Sequence, residues 1–232
     1  MDIEELRRRI DSGELTLTQS CNCIGAGKLL SNAGKSVGYQ INCGWDILSA
    51  HSCDKKWKSF NLKLLEWIKK QNYPEKELGS VLSKIQLHDM HWDWFKKSNV
   101  YRGDEYVWFY MFADEEPQGA CLIYHPKESI INSGNIFYIE YVAVAPWNRA
   151  NPMSERIFKG IGTLIIKNVL NYAVNTLHLQ HGFSLHSVPP VVDYYKKIGM
   201  QHYPERDKKE LSSVLPYFEM PPSGAVKMLG VA

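Results

Sequence analysis

Apolar residues recur at helical spacing over Phe60, Leu64, Trp67 and Ile68, with Lys63, Glu66, Lys69 and Lys70 on the other side. This i, i+4, i+7, i+8 pattern predicts an amphipathic helix, which Tyr73-Pro74 ends. Leu78, Val81, Leu82 and Ile85 repeat it over a second helix, about 75–86. Residues 2–11 read as a short charged helix stopped by Asp11-Ser12-Gly13. HDMHWDWFKKS (88–98) reads as a third helical stretch or a long turn with two tryptophans to bury. Residues 17–53, rich in Gly, Ser, Asn and Cys, show no clean period, and no element is predicted there.

From residue 105 the pattern becomes that of a sheet. Glu105–Ala113 and Gln118–His125 are strands by their aromatic and β-branched content, joined by a hairpin loop around DEEPQG. Ile136–Ala145 is nearly continuous apolar, as a strand buried on both faces is. A polar loop (147–156), a Gly-started helix (160–176), a strand (183–188), a helix opened by Pro189-Pro190 and a last strand (217–220) follow. Antiparallel strands followed by strand–helix alternation predict an α/β (α+β) fold with a mixed sheet.

At 44% hydrophobic, the 232-residue chain has enough apolar mass for a full core, in one or two domains. The 27 basic and 25 acidic residues nearly cancel, so no nucleic-acid partner is expected. No run approaches the length of a membrane span, and the charged start MDIEELRRRI is unlike a signal peptide. A soluble, cytoplasmic protein without a membrane partner is expected. Cys21, Cys23, Cys43, Cys53 and Cys121 are odd in number and lack C-x-x-C spacing, so neither a disulfide framework nor a metal site is expected.

The strand at 136–145, followed by KGIGTLII (159–166), carries the candidate chemistry. A glycine pair at a helix start lets backbone N–H groups approach a phosphate while the helix dipole favours the anion. Three segments in order resemble the GNAT (GCN5-related) acetyltransferase superfamily. YVAVAPWNR (141–149) resembles its central strand, KGIGTLII its pyrophosphate loop, and DYYKKIGM (193–200), preceded by SLHSVPP, its late tyrosine segment. The resemblance runs from about Tyr106 to Met220 and is nearest to bacterial members.

It implies a GNAT-like mixed, mainly antiparallel central sheet flanked by helices over 101–232, with 1–100 as a mostly helical N-terminal extension packed on it. It also implies transfer of an acetyl or other acyl group from acetyl-CoA to an acceptor amine by direct attack, with acetyl-CoA as co-substrate and no metal. The pantetheine arm would pair with Val142, Ala143 and Val144, and the pyrophosphate would rest on Lys159, Gly160, Ile161, Gly162 and Thr163. Tyr195 aligns with the family's tyrosine acid, and Tyr194 is read as its core-packing neighbour. Glu140 shares a strand face with Val142 and Val144 and is the candidate base; His186 is the second candidate, or else a hydrogen-bonded structural histidine.

The chain departs from the family where Ile157 replaces a Gln or Arg and Val188 replaces an Asn, which removes two expected donor contacts. Phosphate contacts from Arg149 or Arg156 are not expected. The rival readings are a non-catalytic acyl-CoA-binding sensor or scaffold and a nucleotide site at Gly34-Lys35-Ser36, which lacks the first P-loop glycine because Leu29 stands there. Lys55, Lys56, Lys58, Lys63, Lys69 and Lys70 interleave with aromatics and read as a solvated helix face rather than an RNA patch. The acceptor is a small molecule or peptide of undetermined identity. A homodimer fits the sequence as well as a monomer does.

Overall fold

The computed structural model describes residues 2–15, 17, 22–210 and 213–230, so Cys21 lies outside the described residues. A first helix, α1 (Ile3–Asp11), starts at Asp2, whose carboxylate accepts the Glu5 N–H at 2.8 Å. The hairpin β1 (Asn22–Leu30) and β2 (Ser36–Cys43) follows, then three helices: α2 (Ile47–Lys70), α3 (Glu75–Ser83) and α4 (Trp94–Val100). The sheet continues with β3 (Tyr106–Ala113), β4 (Glu116–Glu128) and β5 (Asn135–Val144). Helix α5 (Ile161–Asn175), β6 (Phe183–His186), α6 (Val192–Lys197) and β7 (Gln201–His202) come next. A small ribbon of β8 (Lys208–Lys209) with β9 (Val214–Leu215), then β10 (Tyr217–Met220) and α7 (Pro222–Leu229), complete the chain.

One eight-stranded sheet runs β1-β2-β3-β4-β5-β6-β10-β7, with β5 and β6 parallel and the β1–β2, β2–β3, β6–β10 and β10–β7 pairs antiparallel. The mixed, mainly antiparallel sheet expected from the sequence is therefore what the chain forms. Its residues divide into two compact units. One comprises Met1–Gly103, Trp108–Ala120 and Ala143–Ile161, and the other Asp104–Val107, Cys121–Val142 and Gly162–Ala232.

Residues 22–43, where no element was expected, add two strands, β1 and β2, to a segment in which helices predominate, and these strands join the sheet. Their period is faint for a physical reason. Most of β1 is exposed, and its glycines carry no hydropathy signal. Gly27 sits opposite Tyr39, and a Cβ there would meet the Tyr39 ring at 2.9 Å, so the aromatic covers the space that glycine leaves. The Gly34-Lys35-Ser36 segment is the turn of this hairpin, with the Lys35 N–H held by Ser31 Oγ at 3.0 Å. A P-loop needs a helix after its glycines, and here a strand follows.

Helix α2 is capped by Asp46 and begins at Ile47, thirteen residues before the periodicity becomes legible in the sequence at Phe60. Asp46 accepts the Leu48 N–H at 3.0 Å and the Ser49 hydroxyl at 2.6 Å. Ile47, Ala50, Cys53, Trp57, Leu64 and Ile68 then form one buried stripe. Around it, Trp57 meets Trp94 edge-on at 5.8 Å, and Trp94 meets Trp108 at 6.3 Å. The long tryptophan-rich segment thus builds a core in the first unit. Three of the six lysines of α2 form ion pairs: Lys55 with Asp11, Lys56 with Glu116 and Lys58 with Asp93. In the second unit α5 buries Ile165, Ile166, Val169, Leu170 and Ala173, again at three- and four-residue spacing. Among the described residues no helix is long and apolar enough to cross a membrane.

Candidate functional site

Strand β5 corrects one expectation. It is buried on both faces only as far as Ile139; Glu140, Val142 and Val144 are half-exposed, while Ala143 is buried. Strand alternation places Tyr138, Glu140, Val142 and Val144 on one face. That face opens toward its C-terminal end, where an extended ligand chain could lie against backbone.

The segment after β5 is held open by buried polar groups. Gln118 Oε1 accepts Trp147 Nε1 at 3.0 Å and Asn148 Nδ2 at 2.8 Å, and Asn148 Oδ1 accepts the Phe158 N–H at 2.9 Å. Arg149 donates from Nε to the Val144 carbonyl at 2.8 Å and reaches Asp89 through both Nη atoms. Its guanidinium is therefore committed within the protein. Gln118 and Asn148 were not singled out by sequence; their only signal is two amides flanking an apolar strand and an aromatic.

This lacing delivers Phe158, buried, and Lys159, exposed, to the start of α5. Gly160 is exposed with φ +77°, a left-handed backbone that a side chain strains, although no atom lies within 4 Å of where a Cβ would stand. Ile161 is buried and pins the turn, whereas Gly162 is half-buried and Thr163 exposed. The leading N–H groups of an α-helix have no intrahelical acceptors, so this accessible first turn, beside Lys159, favours an anion.

The two tyrosines of α6 exchange the burial that the sequence suggested. Tyr195 is the buried one, 6% exposed, with its ring 5.2 Å from Tyr194 and 6.2 Å from Phe218. Burial pushes its phenol well up, and the neighbouring Tyr194 and Cys121 add to this. Tyr194 is half-exposed, and its hydroxyl lies 3.0 Å from Thr163 Oγ1. Burial raises the Tyr194 phenol, and the Thr163 hydrogen bond partly opposes the rise. On the adjoining strand, His186 Nδ1 lies 2.6 Å from the Tyr138 hydroxyl and Nε2 lies 2.9 Å from the Arg206 carbonyl.

A separate small cleft in the first unit is lined by Trp57, Trp92, Trp94, Asp54, Asp89 and Arg149 among others. Both carboxylates are occupied, Asp89 by Arg149 and Asp54 by the Trp94 and Phe95 N–H groups at 2.9 and 3.0 Å. Among the described residues no group of three or more His, Cys, Asp or Glu could hold a metal ion.

No protein-family model and no curated protein sequence matches the chain. Solved structures do. An uncharacterized protein of Bacillus halodurans aligns over 90% of this chain and 96% of its own, at 10% identity and TM-score 0.52. A putative GNAT-family acetyltransferase of Desulfovibrio desulfuricans covers 78% and 98%, at 11% identity and TM-score 0.43. PaiA N-acetyltransferase of Thermoplasma acidophilum, solved with coenzyme A, covers 78% and 98%, at 11% identity and TM-score 0.42. The Bacillus protein shares the fold across nearly the whole chain.

Proposed function

We propose that the chain is an acyl-CoA-dependent N-acyltransferase that moves an acetyl group from acetyl-CoA to an acceptor amine by direct attack. The observation that carries this reading is the unit running from the open face of β5 to the exposed first turn of α5, with the Tyr194 hydroxyl on Thr163 of that turn. The order of the three family-like segments supports the same assignment.

In this reading Lys159, Gly160, Ile161, Gly162 and Thr163 receive the pyrophosphate, and Val142, Ala143 and Val144 align the pantetheine amides. A backbone N–H near Val142 or Val144 polarises the thioester carbonyl as negative charge develops on its oxygen. Glu140 deprotonates the incoming ammonium, directly or through water. The amine nitrogen then forms the C–N bond, the C–S bond breaks, and Tyr195 protonates the leaving thiolate. Burial keeps the Tyr195 phenol protonated at neutral pH but also makes it a weaker acid, so it gives up its proton only as negative charge builds on the departing sulfur.

The same burial gives the second reading its footing: an acyl-CoA-binding sensor that does not turn over. Tyr195→Phe separates the two. An enzyme loses thiol release while acetyl-CoA affinity, measured by calorimetry, stays within about twofold. A sensor binds acetyl-CoA in both forms and releases no thiol in either.

A further inference from the structure

An acceptor amine that arrives as an ammonium must lose two protons before an amide remains, one to free its lone pair and one after the C–N bond forms. Glu140 accounts for a single proton. The face of β5 that bears Glu140, Val142 and Val144 also bears Tyr138. The parallel pairing sets Tyr138 opposite Ser184 and His186 two residues further along β6.

The hydrogen bonds of His186 fix its proton. The Arg206 carbonyl can only accept, so Nε2 carries the hydrogen and Nδ1 of the neutral ring presents a lone pair. Tyr138 therefore donates to Nδ1, at 2.6 Å. The groups facing this imidazole are Tyr138 from β5, Tyr217 from β10 at 5.1 Å, the Arg206 carbonyl, Asp207 and Lys208 from the segment before β10, and Lys127 from β4. Glu140 acts on the Tyr138 phenol, and Lys208 Nζ lies 5.7 Å over its ring.

We infer that Tyr138 and His186 form a relay that takes the second proton, the one the nitrogen carries after attack. The inference rests on the acyltransferase reading. In the step, an N–H bond of the adduct breaks as a new O–H bond forms on Tyr138. Tyr138 passes its original proton to His186 Nδ1, and the imidazolium keeps Nε2–H on the Arg206 carbonyl. The electron pair left on nitrogen supports collapse of the adduct and C–S cleavage, and the imidazolium later releases its proton to water. Burial, with Lys208 and Lys127 nearby, holds His186 below its ordinary range, so the ring is neutral and receptive at pH 7. Burial also raises Tyr138, which transfers a proton only in concert with the histidine.

The test is the pH profile of kcat/KM with an arylamine acceptor, whose own ionisation lies outside the range scanned. The wild type shows an acidic limb below the ordinary histidine value, and its imidazole proton signals titrate in step with that limb. Tyr138→Phe and His186→Gln each lower kcat/KM about 100-fold, and the double variant is no worse than either single one. The limb disappears in His186→Gln, while acetyl-CoA binding and melting temperature stay near wild type. Glu140→Gln slows alkylamines more than it slows the arylamine. A Tyr138→Phe enzyme with wild-type kcat/KM and an unchanged limb overturns the relay and leaves the acyltransferase reading intact. So does a wild-type imidazole that titrates out of step with the limb. A wild type that releases thiol with no amine overturns both.

Discussion

Arg149 joins the last residue of β5 to the segment beyond it: its Nε donates to the Val144 carbonyl at 2.8 Å while both Nη atoms hold Asp89. The side chains of Arg149 and Asp89 are only 12% and 8% exposed. Removing one partner of such a pair leaves a buried charge unmatched, at a cost of about 3 kcal/mol. Arg149→Ala is expected to lose stability on that order in urea denaturation, and its KM for acetyl-CoA is expected to rise because the end of β5 loses its anchor. A variant within 0.5 kcal/mol of wild type, on the scale of ordinary surface changes, contradicts the role.

Gly160→Ala places a side chain at φ +77°. The open space around the position means that backbone strain, about 1–2 kcal/mol, is the main cost. If the turn relaxes to avoid it, the N–H groups of the α5 start lose their common direction. Acetyl-CoA affinity should then fall several-fold while melting temperature drops only slightly. Equal affinity in the variant argues against pyrophosphate at this turn.

The Thr163–Tyr194 hydrogen bond is testable from both ends. Thr163→Val and Tyr194→Phe should each raise KM for acetyl-CoA a few-fold with little change in kcat, and the double variant should add nothing to either single one. Independent, additive effects mean that the pair does not act as one unit.

The sequence carried much of this site because each part has a local signature. Gly160 and Gly162 stand at the start of a helix, and the apolar spacing of α5 is clean. What escaped depended on partners distant in sequence. The start of α2 is set by Asp46 and packed by Trp94 and Trp108, so its first two turns show no polar–apolar contrast of their own. β1 and β2 are stabilised by pairing, including pairing of β2 with β3, and pairing leaves no period in an exposed, glycine-rich strand. The burial of Tyr195 instead of Tyr194 follows from where a six-residue helix lies, and adjacent identical residues cannot encode that difference.

Asp93 ties α1 to α4. It caps α4 by accepting the Lys96 N–H at 2.8 Å and accepts Arg7 Nη2 at 2.7 Å. Burial acts to raise its carboxyl, but the Arg7 hydrogen bond and other contacts outweigh that and hold it well below the usual range. A depressed carboxylate contributes stability above the unfolded value near 4 and loses it as the pH falls through the folded value. Asp93→Ala should therefore cost about 2 kcal/mol at pH 7, from the lost cap and ion pair, and the gap to wild type should narrow below about pH 4. Burial and the hydrogen bond with Asp93 push Asp54, in the same cluster, up to about 6, so its carboxyl relaxes in the variant and offsets part of the gap at pH 7. A gap that widens in acid contradicts the assignment.

The decisive measurement is release of free thiol from acetyl-CoA by the purified protein across a panel of alkylamines, arylamines and peptides, for wild type and Tyr195→Phe in parallel. The predicted result is amine-dependent thiol release by wild type, reduced at least about 100-fold in Tyr195→Phe with acetyl-CoA affinity preserved. Acetyl-CoA binding with no thiol release above background for any amine would contradict it.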